Sequence, residues 1–138
     1  MKASYLILSA ALVLAGCQAP KLTGDQAREV LEACVFADKI TALDYQERGE
    51  DGEFTSKMVD NLDEAAKACA RVKAIDQTDF SDSTRACVQM YAYKADIYGY
   101  AKPVLVERNA TPQVVREMKD LLSKMQDAER KCESGAVA

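Results

Sequence analysis

Two stretches of the chain repeat apolar residues in steps of three and four. Met58, Leu62, Ala65, Cys69 and Val72 form one, and Val114, Met118, Leu121, Met125, Ala128 and Cys132 form the other. A helix completes a turn in about 3.6 residues, so such steps keep the side chains on one face. They predict helices over about 56–75 and from Pro112 to about Gly135, with Gly135 as the stop. Ala27, Val30, Leu31, Cys34 and Ala37 repeat in the same way and predict a helix over about 25–48. Thr23 with Gln26 in a capping-box arrangement, or Asp25, would start it, and the run Gly49-Glu50-Asp51-Gly52 would end it. A further helix is expected between the polar run Asp76–Asp79 and Pro103. Ser81 or Asp82 would cap it, and it should end near Lys102, because a proline disfavours helical backbone in the residue before it. Thr111 and Pro112 supply a capping hydroxyl and a first-position proline for the last helix. Pro103 to Arg108 is the only β-like run. The expected fold is all-α: a small four-helix up-down bundle made of two helical hairpins.

The third predicted helix departs from the others. At 100° per residue, Ala86, Met90, Ile97 and Ala101 share one stripe. Tyr93 and Tyr100 flank it on one side, Tyr91 and Tyr98 on the other. The opposite face carries Val88, Ala92, Ala95 and Gly99, all small and uncharged. A helix apolar nearly all round is either buried or docked. One reading places it at the centre of the bundle. The other makes it a surface for a partner or for self-association, with tyrosines at the rim where amphipathic rings are favoured. On that second reading Val88, Tyr91, Ala92, Ala95, Tyr98 and Gly99 are the candidate partner-binding residues.

Each predicted helix carries one cysteine: Cys34, Cys69, Cys87 and Cys132. Cys34 and Cys69 lie equally far from the Gly49–Gly52 turn, and Cys87 and Cys132 equally far from Asn109-Ala110. Antiparallel helices bring such residues side by side, which favours the pairing 34–69 with 87–132. The pairing 69–87 with 34–132 also satisfies the heights and stays open, since connectivity does not follow from sequence alone. Ala33-Cys34-Val35 matches Ala86-Cys87-Val88, and the residues around Cys69 resemble those around Cys132, a weak sign of a duplicated hairpin. An even set of cysteines fits two disulfides in an oxidising compartment. No C-x2-C pair suggests zinc, and no C-x-x-C-H suggests haem.

The start of the chain supplies the compartment. Lys2 precedes an apolar run from Tyr5 to Ala15, shorter than the roughly 20 residues that span a bilayer and patterned as an export signal. Leu14-Ala15-Gly16-Cys17 resembles the lipobox of bacterial lipoproteins. The resemblance implies cleavage before Cys17, a diacylglycerol thioether on its sulfur and an acylated amine, so that the lipidated Cys17 anchors the protein in a membrane. With Gln18 rather than Asp after Cys17, it implies the periplasmic face of the outer membrane. The expected layout is a signal peptide over 1–16, a lipidated tether over 17–24 and a helical domain over 25–138. Eight residue steps from Cys17 to Asp25 reach at most about 26–29 Å, which holds the domain beside its membrane.

In outline, a lipidated cysteine followed by a small disulfide-bonded helical domain is similar to secretin pilotins and to the exclusion lipoproteins of plasmids and phages. That similarity implies a protein-binding envelope component of pilotin or assembly-factor type. An exclusion lipoprotein or an enzyme inhibitor is the alternative, and a purely structural lipoprotein a further one.

Charge and composition narrow the chemistry. The 138 residues carry a net charge of −4, and −5 without the first sixteen, which hold one lysine and no acid. Nucleic acid and anionic headgroups call for a basic surface and are not expected as main partners. There is no histidine, so the usual general base near neutral pH and the commonest metal ligand are missing. No catalytic residue, metal site or cofactor is expected, and the chain is not read as an enzyme. Glu47, Glu50, Asp51 and Glu53 lack the alternating ligand spacing of a calcium loop. Asn109-Ala110-Thr111 fits the glycosylation pattern but, behind a bacterial lipobox, reads as a turn and helix cap.

Overall fold

The computed structural model describes residues 21–49 and 52–137, the last two without their side chains. The expected export signal, Cys17 and most of the expected tether lie outside the described residues. The described residues form four α-helices: α1 (Gly24–Arg48), α2 (Ser56–Ala70), α3 (Asp82–Ala101) and α4 (Pro112–Val137). The all-α bundle expected from the repeats is the observed fold, with no strand among the described residues beyond one isolated bridge.

Local chemistry explains most helix ends. Thr55 Oγ1 accepts from the Met58 N–H at 3.2 Å, and Ser81 Oγ from the Thr84 N–H at 3.2 Å. Thr111 Oγ1 accepts from the Val114 N–H at 3.2 Å, with Pro112 as the first helical residue. Each satisfies an N–H that has no partner in the first turn. The start of α1 differs from expectation. Thr23 sits at the cap position with extended backbone, yet its side chain makes no capping bond, and Asp25 pairs with Arg28 at 3.0 Å instead. Gly49 ends α1 as expected, at φ 74°, a backbone angle that glycine adopts without steric cost.

Two further segments extend helices. A 3-10 turn, Arg71–Ala74, continues α2. Lys102–Val106 forms a π turn, closed by the Glu107 N–H donating to the Lys102 carbonyl at 2.9 Å. This is the β-like run of the sequence. Pro103 has no N–H to continue the α-helical ladder, so the chain widens into a longer-range bond rather than leaving the helix. Gly135 does not stop α4, which runs on to Val137. A Cβ at Gly135 would sit 2.0 Å from the Ser83 Cβ. The glycine therefore lets α4 cross the first turn of α3 closely.

Both hairpins are stapled internally, by Cys34–Cys69 and Cys87–Cys132, with Cα–Cα distances of 4.6 and 4.7 Å. The alternative pairing would need α1 beside α4. The helices instead pack in chain order, α1 on α2, α2 on α3 and α3 on α4, and α1 and α4 barely meet. The array is thus open between its first and last members. The main core joins Ala27, Val30 and Cys34 of α1 to Cys69, Val72, Val88 and Ala95. Leu22 closes its lower edge. The Leu22 N–H donates to the Ala74 carbonyl at 2.7 Å, and the Leu22 carbonyl accepts from the Asp76 N–H at 2.8 Å. The chain is therefore held from Leu22, inside the stretch 17–24 expected as a tether.

Candidate functional site

The face singled out on α3 is largely interior. Val88 is 1% exposed and Ala95 4%, both within the core shared with α1 and α2. Ala86, Met90 and Ala101 on the other stripe are buried too. Both apolar faces of α3 are therefore covered by its own chain. This corrects the reading of Val88, Tyr91, Ala92, Ala95, Tyr98 and Gly99 as one docking surface. Tyr91 packs against the core, Ala92 is half-buried, and only Gly99 is exposed.

The tyrosines expected at a rim line the seams between helices. Lys94 and Tyr98, one turn apart on α3, both reach Asp38 of α1: the Lys94 Nζ lies 2.8 Å from Asp38 Oδ2, and the Tyr98 hydroxyl donates to Oδ1. Asp38 and Lys94 keep only 15% and 21% of their side-chain surface exposed, so each is the other's main substitute for water. Burial raises the Tyr98 hydroxyl above its ordinary range, and the bond to the Asp38 carboxylate raises it further. Tyr91 is raised by burial as well, with the Lys94 ammonium 5.3 Å over its ring opposing the shift. On the α4 side, the Tyr100 hydroxyl donates to Glu117 Oε2 at 2.5 Å and holds that carboxyl below its usual range. These bonds clamp α3 to α1 and α4. They consume the polar ends that a docking surface would offer.

Two hollows flank α3. One of about 480 Å³ lies between α3 and α4, floored by Ala95 and Gly99 and rimmed by Asp96, Glu117 and Asp120. The other, about 410 Å³, lies beside Thr23 and Gly24, where Ala27, Leu31, Ile75, Phe80 and Val88 make an apolar lining. The described residues contain no group of cysteines and carboxylates placed to hold a metal ion. No described helix is long and apolar enough to cross a membrane.

The most exposed large apolar side chains are on a different helix. Phe36 and Leu43 of α1 are 67% and 62% exposed, and Ile40 lies between them. Phe36 and Ile40, with Ala33 and Ala37 of α1 and Asn61, Glu64 and Ala68 of α2, border a shallow groove on the outer face of the first hairpin, and Leu43 lies further along α1. The signal was present in the sequence: 33, 36, 40 and 43 step by 3, 4 and 3. It lay beside the core stripe on the same helix, so α1 is apolar on two faces and only one of them is buried.

The chain was compared with protein-family models, with curated proteins and with solved structures, and none of them matches it.

Proposed function

We propose that this protein is a bacterial lipoprotein, anchored through Cys17 and acting as a protein-binding component of the cell envelope. The lipobox-like run Leu14-Ala15-Gly16-Cys17 after a short apolar segment carries the reading. The four remaining cysteines, all paired in disulfides, support it, because such pairs persist in oxidising compartments such as the periplasm and are rare in the cytosol. Gln18 favours the outer membrane. Two or three acyl chains contribute about 0.8 kcal/mol per buried methylene, which makes the anchor effectively stable where a single chain would exchange.

A binding role fits the surface better than turnover does. The polar groups of α3 are tied up between helices, and an apolar stripe is left open on α1. The protein acts as a scaffold held at the membrane, in the manner of a pilotin or assembly factor, with its partner at that same surface. The test is metabolic labelling with palmitate in bacterial cells expressing the full chain. The wild type should label and fractionate with membranes. Cys17→Ser should do neither, accumulating as precursor or soluble protein. A Cys17→Ser protein that is processed and membrane-bound like the wild type would refute the anchor.

A further inference from the structure

We infer that the α1–α2 face is a self-association surface, on which a second copy of this chain docks about a two-fold axis running parallel to the helices. The apolar part of that face is the stripe Phe36, Ile40 and Leu43 with the hollow over Ala33, Ala37 and Ala68. Exposed apolar side chains of this size, gathered on one face, mark interaction sites. The charges around the stripe select the occupant.

The Cys34–Cys69 bridge fixes which residues of α1 and α2 share a height. Equal steps along the antiparallel helices put Glu32 level with Arg71, Lys39 with Glu64, and Glu47 with Lys57 to within one residue. The Asn61 amide, donating to Asp44 at 2.8 Å, ties the two helices within two residues of that register toward the far end. All six charged residues are exposed, and none belongs to an ion pair among the described residues. A two-fold axis along the helices sets the partner's α2 in front of α1 at the same height. Each of the three levels then joins opposite signs across the interface, and symmetry repeats each pair. Phe36 comes level with Lys67 of the other copy, whose alkyl stem can lie along the ring, with Ala66 and Ala68 on either side of it in the chain.

The competing arrangement, with the axis across the helices, sets α1 against α1. There Phe36 meets Leu43, but Glu32 meets Glu47, like charge against like. A partner with uniformly basic flanks would match Glu32 and Glu47 but repel Lys39. The parallel axis also leaves both chain starts at one end, as two molecules held in one membrane require. That last point rests on the lipoprotein reading; the charge register does not.

The experiment uses the full chain, expressed as two copies with different affinity tags and recovered together from solubilised membranes. Wild-type copies should co-purify. Phe36→Asp, Glu32→Arg and Arg71→Glu should each reduce recovery about tenfold while leaving both disulfides intact on non-reducing gels. Glu32→Arg on one copy and Arg71→Glu on the other should restore it. In that mixed pair one contact joins the two introduced side chains, again opposite in sign, and its symmetry mate keeps the native Glu32 and Arg71. Only a contact between copies behaves that way. The proposal fails if wild-type copies do not co-purify, if Phe36→Asp pairs as well as wild type, or if the complementary copies stay apart. A different envelope protein held through Phe36, in place of a second copy, also overturns it. Palmitate labelling of the same samples separates the two claims. A chain that labels without pairing refutes the dimer alone, and one that pairs without labelling refutes the anchor alone.

Discussion

Removing the Cys34–Cys69 bridge by the double change Cys34→Ala, Cys69→Ala tests how the two hairpins share stability. A disulfide restricts the unfolded chain, and the entropy it removes grows with the logarithm of the loop it closes. The separation of 35 residues gives roughly 3.8 kcal/mol at 25 °C in that model, and the 45 residues between Cys87 and Cys132 roughly 4.0 kcal/mol. By loop length alone the two staples are equivalent. Their surroundings are not. Cys34 and Cys69 are both 0% exposed and belong to the main core, whereas Cys87 and Cys132 are only half-buried. Replacing two sulfurs by hydrogen in a close-packed interior adds a cavity cost on the order of 1–2 kcal/mol, which the half-buried pair escapes. The first double variant should therefore lose about 5–6 kcal/mol and the second about 4 kcal/mol. For a domain of this size the first loss approaches the whole stability. Urea unfolding of the purified, oxidised protein, followed by far-ultraviolet circular dichroism, measures both. If the Cys87–Cys132 variant proved the less stable, the placement of Cys34 and Cys69 in the main core would be wrong.

Three further outcomes follow from single contacts. A Cβ at Gly99 meets no atom within 4 Å, so Gly99→Ala should raise stability, by about 0.5–1 kcal/mol from helix propensity in thermal or urea unfolding. Gly135→Ala should do the opposite, because its Cβ would overlap Ser83; equal melting temperatures for the two variants would contradict the crossing. Tyr98 has its hydroxyl raised above the ordinary value of 10.0 in the folded state. The folded protein therefore keeps a proton that the unfolded chain releases. This contribution is complete below pH 10 and is lost above it, at up to about 1.4 kcal/mol per pH unit. Urea midpoints measured across that range should fall less steeply for Tyr98→Phe than for wild type; parallel curves would disprove the Asp38 bond.

The parts of the fold legible in the sequence are those written in local chemistry. Leu62, Ala65, Cys69 and Val72 repeat at helical spacing and are all buried, and Thr111-Pro112 starts its helix as the residue types dictate. Equidistance from a turn was enough to favour the disulfide pairing, because antiparallel helices translate sequence distance into height. What the sequence left open was which apolar face meets which neighbour. On α3 both stripes looked alike, and only the order of packing decides that Val88 and Ala95 face the core. On α1 the same ambiguity ran the other way, leaving Phe36 and Leu43 outside. Gly135 misled for a related reason. A glycine needed for a close crossing has the same letter as one that ends a helix, and the crossing partner, Ser83, lies 52 positions away.

The backbone bridge at Leu22 decides where a pull on the chain start is felt. Leu22 precedes α1, yet its two hydrogen bonds run to Ala74 and Asp76, in the segment that joins the first hairpin to the second. A load arriving from a lipid anchor would thus reach the seam between the hairpins before it reached the first turn of α1, which has no side-chain cap to resist fraying. From there the Cys34–Cys69 bridge ties the strained end covalently across to α2. The five steps from Cys17 to Leu22 extend to at most about 18 Å. If Cys17 is lipidated, a mooring that short would pass membrane movement to the body of the protein with little slack, and would pass it to the joint between the two hairpins.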